Sequence, residues 1–289
     1  MEAAELLKRV RKIEIKTRGL SQHIFAGEYH SAFKGRGMAF SEVREYQYGD
    51  DIRNIDWNVT ARFNHPFIKI YEEERELTVM LIIDVSGSRD FGTQSKLKKN
   101  VITEIAAVLS FSAIQNNDKV GVIMFSDKIE KFIPPKKGRQ HILRIIRELI
   151  NFEPENRGTK ITEALRYLTN AIKKRSTAFL ISDFIDDDFD DALKIANKKH
   201  DIVGLKIFDV RETQLPSIGL VKLLDAESGE DIWVDTSSNY IRDTYNNSWR
   251  KHNEDFKDIL SKIGVDYISI STTEDYVKPL MNLFRKRAQ

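Results

Sequence analysis

Leu77-Thr78-Val79-Met80-Leu81-Ile82-Ile83-Asp84-Val85-Ser86-Gly87-Ser88 is the stretch that decides the reading of the chain. An unbroken apolar run from Val79 to Ile83, rich in β-branched residues, stops at a carboxylate, and hydroxyls follow at alternate positions. A run this apolar predicts a strand covered on both faces, as in the middle of a parallel sheet. Ligands of such sheets gather at the carboxyl ends of the strands. Asp84, Ser86 and Ser88 therefore lie where a site is expected, and they offer only hard oxygen atoms. That donor set suits Mg²⁺, with Mn²⁺ or Ca²⁺ as close substitutes.

Outward from this strand the periodicity alternates. Helical spacing covers 95–115, and apolar runs at 119–126, 177–182, 201–208 and 265–271 read as strands. A short edge strand at 129–133 is expected to stop at Pro134-Pro135. Helices are expected at 139–151, 160–174, 189–199, 239–263 and 274–286. Strand and helix in alternation predict a doubly wound, mostly parallel, Rossmann-like α/β sheet. Glu227-Ser228-Gly229-Glu230 marks a hairpin insertion near 214–236. Residues 4–17 form a basic amphipathic helix expected to dock on the body, 26–65 read as irregular, and 66–72 alternate like a half-buried strand. The chain is thus divided into a segment 1–76, packed on the main domain, and a domain 77–289.

Bulk properties narrow the function. The 289 residues are enough for one substantial core. The net charge of +2 arises from nearly balanced totals, so no general field for nucleic acid exists. The local basic clusters Lys136-Lys137-Gly138-Arg139 and Lys173-Lys174-Arg175 leave nucleic-acid binding as a minor alternative. No cysteine is present, which removes disulfides and thiolate chemistry. No apolar stretch approaches the roughly 20 residues that cross a bilayer. These features suggest a cytoplasmic protein, reaching a membrane peripherally through its partners.

Two further pieces complete the candidate site. The strand 177–182 also ends on a carboxylate, Asp183, and Asn156-Arg157-Gly158-Thr159-Lys160 is a turn that opens a helix. Asp84, Ser86, Ser88, Thr159 and Asp183 in this order resemble the metal-ion-dependent adhesion site of von Willebrand factor A domains. The resemblance implies that the serines ligate the ion and that the carboxylates act partly through water. A partner's Asp or Glu would complete the shell. Ordinary structural roles compete: Asp84 capping, Ser86 and Ser88 bonding the turn, Thr159 as an N-cap, and Asp186-Asp187-Asp188 as solvated capping charge.

A second signature spans residues 29–76. It contains Gly35-Arg36-Gly37, Arg44, Gly49-Asp50-Asp51, Arg53, Ile55-Asp56-Trp57 and Thr60-Ala61-Arg62. It resembles the bacterial family of uncharacterised proteins with a von Willebrand A-like domain that accompany MoxR-type AAA+ ATPases. That resemblance implies a non-enzymatic, metal-dependent interaction module, accessory to such an ATPase in assembling or maturing protein complexes of an unknown client. Arg36, Arg44, Arg53 and Arg62 are expected to pair with Asp50, Asp51, Asp56 and nearby glutamates, with Trp57 as an anchor, and these residues together make either a structural brace or a docking surface for a partner. The enzymatic alternative is a metal-dependent phosphohydrolase using Asp84. Its chemistry generally wants a second carboxylate two residues later, where this chain has Ser86. No histidine sits in a recognisable catalytic motif.

Overall fold

The computed structural model describes residues 3–21, 29, 32, 38–73, 76–92, 97–224 and 229–288. It divides into two compact units, residues 34–77 and the remainder of the chain. The first helix, grouped by sequence with the segment that follows it, belongs instead to the larger unit. That helix, α1 (Ala3–Leu20), buries Val10 and Thr17. It is tied down by Lys16–Glu104 (2.6 Å) and by Glu14–Arg139 (2.5 Å). Val10, on its apolar stripe, is thus spent on the protein rather than on a lipid surface.

The larger unit is built on a six-stranded sheet. Its strands are β3 (Thr78–Asp84), β4 (Lys119–Phe125), β5 (Ile129–Lys136), β6 (Thr177–Ser182), β7 (Asp201–Phe208) and β10 (Asp266–Ser271). They lie in the order β10-β7-β6-β3-β4-β5, and every neighbouring pair is parallel except β4 with β5. This is the doubly wound, mostly parallel sheet that the apolar runs predict. The helices are α3 (Lys98–Gln115), α4 (Arg139–Asn151), α5 (Ile161–Ala171), α6 (Asp190–Lys199), the short α7 (Val210–Thr213), α8 (Asn239–Ile263) and α9 (Val277–Ala288). The alternation along β3 explains the two layers. Met80 and Ile82 join Ile123, Phe125 and Leu180 in a core closed by Leu165 of α5, Leu193 of α6 and Phe256 of α8. The first crossover helix, α3, packs with α1 and α4.

The edge strand runs through Pro134-Pro135 to Lys136, which pairs with Val120, instead of stopping at the prolines. An edge strand tolerates proline because one row of its N–H groups has no ladder partner to lose. The hairpin comprises β8 (Leu220–Leu224) and β9 (Asp231–Asp235), antiparallel as expected, with its tip at 225–228 outside the described residues.

The smaller unit corrects the irregular reading of 26–65. It holds a strand β1 (Met38–Glu45), antiparallel to β2 (Phe67–Glu73), and a helix α2 (Trp57–Phe63). Charged and aromatic residues mixed within β1 hide its alternation, and α2 is too short to show a helical period. Its caps are legible after the fact: Asp56 accepts the N–H groups of Asn58 and Val59, and Asn64 ends the helix in a left-handed conformation (φ 56°).

Gly121 marks where β4 is squeezed. A Cβ there would stand 2.9 Å from Pro135 N and 3.0 Å from Ile133 O, both backbone atoms of β5. Gly121→Ala is expected to cost about 1–3 kcal/mol in urea unfolding. Gly19→Ala, in the open final turn of α1, is expected to be neutral or to stabilise by up to about 1 kcal/mol.

Candidate metal centre

The sheet order places β3 beside β6, with the crossovers departing to opposite sides, so a crevice opens at their carboxyl ends. Asp84 closes β3 and Asp183 directly follows β6, and both are buried. Asp84 Oδ1 accepts the Ser86 N–H (2.9 Å), which shapes the turn, and Oδ2 accepts the Ser182 hydroxyl (2.6 Å). The Ser86 and Ser88 hydroxyls lie 3.2 Å apart, and the Ser88 side chain hydrogen-bonds Asp183. Asp183 Oδ1 accepts the Ile185 N–H (3.3 Å). Four of the five sequence-predicted donors therefore form one connected group.

Thr159 arrives on the third loop. Gly87 N–H bonds Arg157 O (2.9 Å), which pins that loop to the turn carrying the serines, and Lys160 N–H bonds Ser126 O (2.8 Å). The Ser126 hydroxyl bonds Glu130 (2.6 Å), which also accepts Asn156 N–H (3.2 Å), while Asp127 accepts from the Asn156 side chain (2.7 Å). Sequence reading missed this bracing by Ser126, Asp127 and Glu130, because its partners lie more than 25 residues apart along the chain.

Thr159 is not the cap of α5. The N-cap position is Lys160, and the Ile161 N–H is accepted by Asp186 at 2.7 Å. The acidic turn read as solvated charge thus supplies a buried cross-loop cap through Asp186, whose side chain is 3% exposed. Thr159 itself is buried, and its hydroxyl has no hydrogen-bond partner. Buried hydroxyls are rarely left so, and an orphan hydroxyl on a loop bonded through Arg157 O to the serine turn fits a hard cation. Among the described residues no group of three or more His, Asp or Glu side chains is placed to hold a metal ion, so the candidate set depends on hydroxyls. It could hold Mg²⁺ through Ser86, Ser88 and Thr159, with Asp84 and Asp183 orienting its waters.

The electrostatics are uneven. Burial, and then the charge of Asp183, push the Asp84 carboxyl up to about 7. Burial acts on Asp183 in the same direction. It is outweighed by the Lys98 ammonium and by the Ser88 and Ile185 hydrogen bonds, which hold Asp183 low. Lys98 is 1% exposed and lies between Asp183 (3.1 Å) and Glu212 (2.5 Å). Burial opposes its charge, but those two carboxylates hold its pKa above the ordinary lysine value. The other buried lysine nearby, Lys206, sits against Trp249 and Phe256, and burial brings it down to about 8. Sequence reading passes over Lys98, because helical spacing from 95 places it inside the helix, whereas the helix in fact opens on it.

Of the 29–76 signature, Arg36 lies outside the described residues. Arg44 makes a bidentate pair with Asp50 (2.8 and 2.9 Å), and Asp50 also accepts Gln47 N–H (2.7 Å). Arg53 meets Asp51 (3.3 Å), whereas Asp56 caps α2 and pairs with Lys69 (3.6 Å) rather than with an arginine. Arg44's hydrogen bond, the Asp51 bond to Arg53 N–H and the capping bonds of Asp56 hold these three aspartates below the ordinary range. Thr60 accepts Phe67 N–H (3.0 Å). Trp57 is not a buried anchor: it opens α2 and is 70% exposed, and Arg62 is exposed on the same helix.

Residues 42–255 match the family described as "Protein of unknown function DUF58", and the chain belongs to that family. An uncharacterised protein of Mycobacterium tuberculosis, Rv1480, is 27% identical over 98% of this chain and 90% of its own length. Among solved structures, BatB from Bacteroides thetaiotaomicron aligns with a TM-score of 0.51 at 18% identity, over 73% of this chain and 98% of its own. An aerotolerance-related membrane protein from Bacteroides fragilis gives a TM-score of 0.51 at 16% identity over the same shares. At these identities the structures share the fold. Among the described residues no helix is long and apolar enough to cross a membrane.

The raised Asp84 carboxyl has a defined sign. Without a cation, its contribution to folding stability is full below the ordinary carboxyl range and is lost as pH rises through about 7. A bound cation needs the carboxylate. Mn²⁺ affinity measured by calorimetry should therefore weaken as pH falls below 7, approaching about tenfold per unit, with uptake of Mn²⁺ releasing a proton.

Proposed function

We propose that this DUF58 protein is a metal-dependent protein-interaction module. In this reading Ser86, Ser88 and Thr159 hold Mg²⁺ or Mn²⁺, and Asp84 and Asp183 steady its water shell. A partner's Asp or Glu takes the remaining position. The observation that carries it is the buried, unpartnered Thr159 hydroxyl on a loop hydrogen-bonded to the serine turn. A site with few first-shell negative charges leaves the ion electrophilic enough to attract a foreign carboxylate. The chemistry the ion supplies is that single electrostatic bond, and no catalytic step is required of the residues around it.

The partner we propose is a MoxR-type AAA+ ATPase, with this chain as its accessory in assembling or maturing a client complex. Support comes from the signature resemblance and from the smaller unit's surface. Tyr48, Ile52, Trp57 and Phe63 are all exposed there, an apolar endowment unusual for a solvated segment of this length. The nucleic-acid alternative loses part of its basis, since Arg139 of the basic loop is engaged by Glu14.

Asp84→Ala should abolish Mn²⁺ binding, and Ser86→Ala should weaken it by at least about tenfold. Equal affinities for wild type and Asp84→Ala would eliminate the site. Capture of the companion ATPase should fall with EDTA and with Ser86→Ala. Capture that ignores both but falls with Trp57→Ala would move docking onto the smaller unit.

A further inference from the structure

Lys98 is an unexpected residue to find where it is. It occupies the first position of α3, where the helix N-terminus already presents positive potential and a basic side chain is disfavoured. The preceding Leu97 gives no side-chain cap. The ammonium is also buried, at a cost that only close anionic partners offset. Local propensity and burial thus both argue against a lysine here, and what holds it is its contact with two carboxylates. One of these, Asp183, belongs to the candidate cation site (3.1 Å), and the other, Glu212, lies at 2.5 Å. Glu212 is fixed in turn, because its second oxygen accepts the Asp209 N–H (2.8 Å) in the capping box of α7. Asp209 is anchored to the turn that follows β10, because it accepts the Thr272 hydroxyl (2.6 Å).

We propose that Lys98 is a permanent counter-cation of the metal centre: it neutralises Asp183, weakens the hold on a bare divalent ion, and so leaves the ion's charge for an anionic partner group. The inference rests on the metal reading above and specifies how that site is tuned. Its physical basis is Coulombic. A fixed positive charge beside a site carboxylate repels an incoming cation, and in a buried setting that repulsion is weakly screened. Glu212 moderates the effect by sharing the ammonium. The two residues therefore push cation affinity in opposite directions. Asp84 and Asp183 provide two negative charges and Lys98 removes one, so a divalent ion keeps net positive charge for an acidic ligand. Without Lys98 the same ion would be close to neutralised by the protein alone.

The test is Mn²⁺ binding by titration calorimetry, with Mn²⁺ electron paramagnetic resonance as a second readout, on the full chain. Glu212→Gln leaves Lys98 entirely to Asp183 and should weaken Mn²⁺ affinity severalfold. Lys98→Met/Glu212→Gln removes the ammonium without stranding the second carboxylate, and should tighten Mn²⁺ binding by about tenfold relative to wild type. A purely structural role would loosen the site in both variants, so opposite signs are the diagnostic. In the ion-free protein the double variant should melt at lower temperature than wild type, and saturating Mn²⁺ should narrow the gap. Wild type that binds Mn²⁺ while the variants match it, or change in the same direction, overturns the role of Lys98 alone. No Mn²⁺ uptake by any of the three overturns the metal reading and this inference with it.

Discussion

Two carboxylates buried side by side at the end of a parallel sheet are the constraint around which the larger unit is arranged. Asp84 ends β3 and Asp183 follows the adjacent β6, and both are buried. Such a pair cannot carry two uncompensated charges in a weakly polar interior. The structure answers asymmetrically. Asp183 receives the ammonium of Lys98 and stays ionised, while Asp84 receives hydroxyl and amide donors only and holds its proton up to about 7. A divalent cation beside the pair would resolve the imbalance, and the loop bonded to the serine turn carries an unsatisfied hydroxyl.

That arrangement is a product of topology more than of local sequence. The order β6-β3-β4 sends successive crossovers away on opposite sides, which leaves the ends of β3 and β6 open to one another. The third loop is brought in by Gly87 N–H to Arg157 O, and its shape is fixed by Glu130 and Asp127 beyond the end of β4. Asp186 then takes over the capping of α5. This last substitution matters most. A threonine at the start of a helix is ordinarily consumed as a cap, and here the cap comes from another loop, so the Thr159 hydroxyl stays available.

The strands of the larger unit were legible because burial on both faces writes itself as unbroken apolar runs, as at Val79–Ile83 and Thr177–Ile181. The donors were legible because they terminate such runs or open the turn before a helix. What escaped had no local signature. Lys98 reads as one more cation in a basic stretch until its carboxylates, from Asp183 and Glu212, are brought to it across the fold. Asp186 reads as one of three similar aspartates, and only tertiary pairing separates it from Asp187. In the smaller unit, β1 was invisible because Ser41, Glu42, Arg44 and Glu45 interrupt its pattern. A strand in a two-stranded ribbon has little core to face, and therefore little pressure to alternate.

The smaller unit also shows how a strong sequence signature can divide between structure and surface. Arg44, Asp50, Asp51, Asp56 and Thr60 are used in turns, caps and a bidentate pair. Each shapes 44–67 locally, so a requirement for these residues needs no partner to explain it. Trp57 is different. It follows a capping aspartate that fixes the start of α2, yet its own ring is exposed, and nothing in the helix geometry requires an indole there. A large aromatic held on a rigid, capped helix loses little conformational entropy on binding, which is the property that makes tryptophan a frequent interface anchor. The same caps that make the signature look like a brace thus also present a large side chain whose size the brace does not use.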